Sequence, residues 1–206
     1  MRLAVLVSGR GSNLEAVLRA VEGGQLPGIE PVLVISNRPR VPALGVAARH
    51  GVPSQVLPAR AFDDPAARDA AIGWALADGG VELALLAGYD QWLRPSYFAA
   101  FGGRTINIHP SLLPRHGGPG MIGLAVHAAV LAAGDPETGV TIHEVTPDLD
   151  AGPLLLQRRV AVRSGERADE LAERVLAVEH QVLVEVLSHL SASMTAAPRA
   201  TTRPRR

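Results

Sequence analysis

Asn107 and His109 stand two residues apart in the run Thr105-Ile106-Asn107-Ile108-His109-Pro110-Ser111-Leu112-Leu113-Pro114. A strand alternates its side chains, so both project from one face. Pro110 holds His109 in extended backbone and stops the strand from continuing. An amide N–H beside an imidazole that can shuttle protons suits a carbonyl that becomes an oxyanion. The plainer alternative is an Asn and a His that satisfy local backbone at a strand end. An acidic loop, Thr146-Pro147-Asp148-Leu149-Asp150-Ala151-Gly152-Pro153, follows a strand carrying Thr141 and His143, again two apart. A carboxylate from that loop would orient His109 and accept a proton through water. Spacing does not choose between Asp148 and Asp150, and a solvated Asp-rich turn is the competing reading.

The second candidate is Ser8-Gly9-Arg10-Gly11-Ser12-Asn13, which follows an apolar strand and opens a helical segment. Glycines allow close approach there, and free N–H groups with the helix dipole favour an anion. The dinucleotide fingerprint is absent, because Leu14 takes the third glycine position and Asn37, not an acid, closes the next strand. A triphosphate loop would need its lysine, and every basic residue of this chain is arginine. A single phosphate, such as that of a sugar monophosphate, fits best. The alternative is a tight turn with Asn13 capping a helix. Zero cysteines remove disulfides, thiolate metal sites and cysteine nucleophiles. His116, His127, His180 and His189 have no metal-binding spacing, so no metal is expected. No Gly-x-Ser-x-Gly elbow marks a serine hydrolase. A formal net charge of +0 argues against a general nucleic-acid partner.

Positioning these groups falls to short apolar runs that alternate with segments of helical period. Strands are predicted at 3–7, 31–35, 55–57, 83–86 and 105–108, then at 139–145 and 154–162. Helices are predicted at 13–21, 41–50, 65–77, 95–101 and 124–133, and a long closing one at 167–190. That order implies a doubly wound α/β fold, a mostly parallel sheet with helices on both faces. The length, 206 residues, suits one domain over 1–190, followed by an arginine-bearing tail at 191–206 expected to be disordered. No signal peptide and no apolar run of roughly 20 residues is found, so the chain is read as cytoplasmic, without a membrane partner.

Five segments together are similar to one family. Val7 to Leu14, Ile35-Ser36-Asn37, Leu86-Ala87-Gly88-Tyr89, Asn107 to Pro114 and Asp148 to Pro153 run in the order found in folate-dependent formyltransferases of the phosphoribosylglycinamide branch. The resemblance extends from residue 1 to about residue 190. It implies formyl transfer from 10-formyltetrahydrofolate, the co-substrate, to the amine of glycinamide ribonucleotide in purine biosynthesis. It implies a catalytic set of Asn107, His109 and Asp150, the last chosen over Asp148. Gly11, Ser12 and Asn13 match the loop that holds the phosphate, and Glu179 matches a ribose-binding glutamate. Asp90, Gln91, Trp92 and Leu93, with Asn107, match the folate contacts, largely through backbone groups, and 146–150 would cover the same pocket. Small molecules are thus the implied partners, and a monomer or homodimer the implied state.

The sequence also departs from the family pattern. Asp90-Gln91 replaces a Met-Arg pair common in it, Pro65 stands at an arginine position, and Leu176 replaces a polar residue. The segment 117–127 is longer than the usual form. Rival readings are a methionyl-tRNA formyltransferase, which should carry a further basic domain, and a deformylase, which should carry an N-terminal regulatory domain. A third is a non-catalytic sensor of nucleoside monophosphates, which would need no proton shuttle.

Overall fold

A computed structural model describes residues 1–196. Seven strands form one sheet in the order β3-β2-β1-β4-β5-β6-β7. They are β1 (Arg2–Val7), β2 (Glu30–Ser36), β3 (Ser54–Val56), β4 (Leu83–Leu86), β5 (Arg104–His109), β6 (Glu137–Glu144) and β7 (Leu154–Ala161). The first five are mutually parallel, and β6 and β7 are antiparallel additions. The helices are α1 (Ser12–Glu22), α2 (Pro42–Arg49), α3 (Pro65–Asp78), α4 (Pro95–Ala100), α5 (Leu124–Ala132) and α6 (Ala168–Ala196), with a single 3-10 turn at Ala59–Ala61.

The alternation of β1 shows how the sheet is covered. Leu3, Val5 and Val7 enter a core with Leu14, Val17 and Leu18 of α1, Val130 of α5 and Val182, Leu183 and Leu187 of α6. Ala4 and Leu6 enter a second core with Ile72 and Leu76 of α3 and Tyr97 of α4. A strand segment buried on both faces must be apolar throughout, as β4 and all of β1 after Arg2 are. Chain order reverses between β1 and β4, so the loops leaving their carboxyl ends diverge and open a crevice. Both candidate segments, 8–13 and 87–93, lie at that crevice.

One expectation and one alternative reading need correction. The tail does not begin at Ser191, because α6 runs on to Ala196. Ser191 is buried, and its Oγ donates to the Pro27 carbonyl at 3.2 Å, which anchors this turn of the helix. The remainder of the expected tail, 197–206, lies outside the described residues. Nor does Asn13 cap α1. The cap position is Gly11 in the left-handed region at φ 83°, with no side-chain cap. A Cβ at Gly11 would lie 2.7 Å from Ala43 Cα at the start of α2, so both backbone conformation and close packing require glycine.

Candidate active site

A cleft of about 480 Å³ opens over the carboxyl ends of β1, β4 and β5. Gly11, Ser12, Asn13, Asp90, Gln91, Trp92, Leu93, Asn107, His109, Asp150 and Glu179 all line it, as does Asp148. Residues separated by up to 168 positions are therefore brought to one cavity, and the sites expected from the sequence are neighbours.

At its centre, β5 delivers Asn107 and His109 side by side, and β6 supplies what the sequence reading left without a role. Asn107 is in register with His143 across the antiparallel pair. The His143 Nδ1–H donates to the Glu144 carbonyl at 2.8 Å, which leaves Nε2 to accept from Asn107 Nδ2 at 3.1 Å. Burial pushes His143 below its ordinary imidazole value, outweighing the opposing pulls of the Glu144 carbonyl and Asp150. A neutral His143 thus fixes which end of the Asn107 amide is nitrogen, and one of its two N–H bonds stays free for a ligand. The hint was already in the spacing of Thr141 and His143, since both stand on the sheet face that carries their cross-strand partners His109 and Asn107.

His109 is buried, and its Nε2–H donates to the His116 carbonyl at 2.8 Å. That fixes the ring with Nδ1 facing Asp150 Oδ2 at 4.0 Å. Asp150 Oδ1 lies 3.7 Å from His143 Nε2, so one carboxylate faces both imidazoles. Asp150 is held in turn by the Gly118 N–H at 2.8 Å. His116 and Asp150, on either side of His109, both adopt left-handed backbone, at φ 56° and 53°. For residues with a Cβ such conformations persist only where neighbours enforce them. The His116 ring is paired with Asp135 at 2.6 Å, and Ser111 Oγ donates to the Arg115 carbonyl at 2.8 Å. The turn carrying Asp150 is pinned at Gly152, where a Cβ would sit 1.9 Å from the Glu144 carbonyl oxygen. No composition or spacing rule would have found the His116 carbonyl, because a backbone oxygen carries no sequence signature.

The two ends of the cleft differ. At one, Asn13 Nδ2 donates to Glu179 Oε2 at 2.6 Å, while Asn13 Oδ1 is buried with no partner. Burial raises the Glu179 carboxyl above its ordinary value, against smaller opposing pulls from the Asn13 hydrogen bond and the Arg10 charge. At the other, Asp90 Oδ1 accepts from Asn37 Nδ2 at 2.7 Å and Gln91 Nε2 at 3.0 Å, and Oδ2 pairs with Arg38. Burial alone would raise Asp90, yet hydrogen bonds of Gln91, Asn37 and Ser8, with Arg38, hold it below its ordinary value. Gln91 Oε1 accepts from Arg68 at 2.8 Å, and buried Arg68 binds Asp69 at 2.6 Å. Trp92 is half exposed, and its Nε1–H donates to the Pro147 carbonyl at 2.8 Å, tying the 88–93 wall to the 146–150 loop. Among the described residues no group of His, Cys, Asp or Glu is placed to hold a metal, and no helix is long and apolar enough to cross a membrane.

An open sheet with a crevice at its reversal point, and an amide, imidazole and carboxylate converging there, defines an enzyme of group transfer to or from a carbonyl. The formyl transferase family model matches residues 1–187, and the chain belongs to that family. It is 36% identical over 188 residues to phosphoribosylglycinamide formyltransferase of Escherichia coli (strain K12), spanning 91% of this chain and 86% of that protein. It is 38% identical to the bovine (Bos taurus) trifunctional purine biosynthetic protein adenosine-3, over 90% of this chain but only 18% of that much longer protein. Among solved structures, glycinamide ribonucleotide transformylase 1 from Symbiobacterium toebii superposes with a TM-score of 0.87 at 36% identity, covering 94% of this chain and 88% of that one.

Proposed function

We propose that this chain transfers the formyl group of 10-formyltetrahydrofolate to the primary amine of glycinamide ribonucleotide, as a cytoplasmic enzyme of purine biosynthesis, monomeric or homodimeric, whose partners are small molecules. The observation that carries the reading is the convergence of Asn107, His109 and Asp150 in one cleft with a phosphate-type loop and a wall of backbone groups. Gly11, Ser12 and Asn13 hold the phosphate, Glu179 the ribose, and residues 90–93 the folate ring system. The relatives' names support glycinamide ribonucleotide as the acceptor and a formyl group as what is transferred.

The amine attacks the formyl carbon; a C–N bond forms and the carbonyl oxygen gains negative charge. The free N–H of Asn107 Nδ2 meets that oxygen, together with His109 in its protonated form. A single such donor contributes roughly 3 kcal/mol to the transition state. Asp150 lies beyond hydrogen-bond reach of His109 Nδ1, a gap that one bridging water spans. Through that water Asp150 accepts the proton that the amine sheds. His109 gives its proton to the folate nitrogen as the bond from that nitrogen to the formyl carbon breaks, so no anionic amine departs. Neither a metal nor a covalent enzyme intermediate enters.

The test is an assay of purified protein with both substrates, following the formyl group by mass. Formylated ribonucleotide is the expected product. Formate released to water would make the chain a deformylase, and binding of ribonucleotide without turnover would make it a sensor.

A further inference from the structure

The cleft is lined by four carboxylates, those of Asp90, Asp148, Asp150 and Glu179, but by one arginine, Arg10, among the described residues. A phosphate monoester is a dianion near neutral pH. Entering a cavity with that charge balance, it needs a full positive charge as well as N–H groups, because a helix terminus offers only about half an elementary charge. Of the other arginines on neighbouring segments, Arg38 is paired with Asp90, Arg19 and Arg49 share the single carboxylate of Glu15, and Arg40, without an ion pair among the described residues, does not line the cleft. Arg10 has neither an ion pair nor a hydrogen bond among the described residues, and its charge acts on Glu179 through space. On α6, Leu176 lies one turn before Glu179 and lines the cleft with an apolar side chain, so that helix supplies no cation at this position.

We propose that Arg10 is the charge that reads the substrate's phosphate and so makes the site specific for a sugar phosphate over the unphosphorylated sugar. The inference rests on the ribonucleotide reading of this end and adds the residue that decides its charge specificity. A guanidinium fork matches two phosphate oxygens, and the Arg10 side chain is exposed on a loop whose flanking Gly9 and Gly11 are anchored against Ala43. The second observation is Asn13 Oδ1, buried and unpartnered. It is an acceptor, which a phosphate oxygen cannot satisfy and a ribose hydroxyl can. A phosphate monoester dianion held by the loop therefore leaves this atom unpaired, and the ribose hydroxyls attached to it do not.

The experiment has two arms, both on the full chain. In titration calorimetry, ribose 5-phosphate should bind the native protein more tightly than inorganic phosphate. Arg10→Gln should weaken it about 10- to 100-fold, the size of a charge-assisted contact, with Arg10→Lys between the two. In formyl transfer, Arg10→Gln should raise KM for the ribonucleotide by a similar factor, with kcat falling far less. It should leave kcat/KM for unphosphorylated glycinamide riboside near the native value and flatten the salt dependence of kcat/KM. Equal losses on both substrates would mean that Arg10 only shapes the loop, and unchanged ribose 5-phosphate affinity would overturn the proposal outright. So would a native protein that binds no ribose 5-phosphate. A protein that binds ribose 5-phosphate through Arg10 yet transfers no formyl group would sink the assigned reaction and leave this inference standing.

Discussion

The two ends of the cleft solve opposite problems. At the 88–93 wall nearly every charged group is paired before any ligand arrives: Asp90 with Asn37, Arg38 and Gln91, Arg68 with Asp69 and Gln91, Arg94 with Asp69. At the 9–13 loop the charges are left open: among the described residues Glu179 has one hydrogen bond, Arg10 none, and Asn13 Oδ1 no partner. Side chains that are fully paired can no longer recognise a ligand; they hold a backbone in place. A buried group left unpaired, such as Asn13 Oδ1, costs stability until a ligand completes it. The first end is a scaffold presenting main chain, and the second a set of contacts awaiting their partners.

The largest expected effect breaks the scaffold. Asp69 is fully buried and accepts from Arg68 and, at 3.0 Å, from the Arg94 N–H. Asp69→Asn would leave the buried Arg68 guanidinium without a counter-charge, at a cost of about 3–5 kcal/mol in urea unfolding. The surviving folded protein should show a raised KM for folate and a ribonucleotide KM near native. A loss below about 1 kcal/mol would mean that Gln91 and water suffice for Arg68, and that the wall is not a scaffold in this sense.

The wall also marks where sequence reasoning ends. From the sequence, Asp90 and Gln91 stand out as departures at a folate-contacting position, and Pro65 as a missing arginine. In the structure Pro65 opens α3 behind an Asp64 cap, and that helix turns Arg68 and Asp69 inward to lock Gln91. Nothing in the local pattern of α3 announces a buried ion pair, because its partners come from residues 23–25 positions away. The strands and helices were legible because short, continuous apolar runs alternate with longer segments of helical length and pattern. Asn107 and His109 were legible because a strand fixes the faces of residues two apart. Asp150 was separable from Asp148 only by family likeness. The structure adds the physical difference, since Asp150 faces two imidazoles and the Gly118 N–H while the Asp148 side chain is exposed.

Between the ends, the centre should respond in rate and not in affinity. Asn107→Ala is expected to cut kcat about 10²- to 10³-fold, the usual cost of one oxyanion donor, with KM for either substrate little changed. His109→Ala should be at least as severe. Their double variant should fall well short of the product of the two losses, since both groups act on one developing charge. Losses that multiply fully would place them on different steps.

Asp150→Asn is a cleaner test than most, because asparagine tolerates the left-handed backbone that position 150 requires. It should cost on the order of 10²-fold in kcat, the scale of general acid–base contributions. Asp148→Asn should stay within roughly threefold, as exposed substitutions usually do. The reverse order would show that the loop's working carboxylate is two residues earlier.

The smallest effect is the most discriminating, because it should have opposite signs in stability and function. Glu179 is a buried carboxyl whose proton affinity burial has raised. The unfolded chain gives up this proton near the ordinary value of 4.5, and the folded chain only at higher pH. Across that window, rising pH therefore favours unfolding, and above it the full cost of the buried charge is present. Glu179→Gln keeps an amide oxygen that can accept from Asn13 Nδ2 but carries no charge. At pH 7 the variant should be more stable by roughly 0.5–2 kcal/mol, as substitutions that relieve functional-site strain commonly are. The gain should shrink as the pH falls and vanish below about 4.5, the ordinary carboxyl value. Ribonucleotide KM should rise over the same comparison, because a carboxylate accepts from ribose hydroxyls more strongly than an amide does. Asp69→Asn removes a carboxylate of the same burial and loses stability; Glu179→Gln should gain it. If both variants are destabilised alike, the open end is as well satisfied as the wall, and the contrast between them disappears.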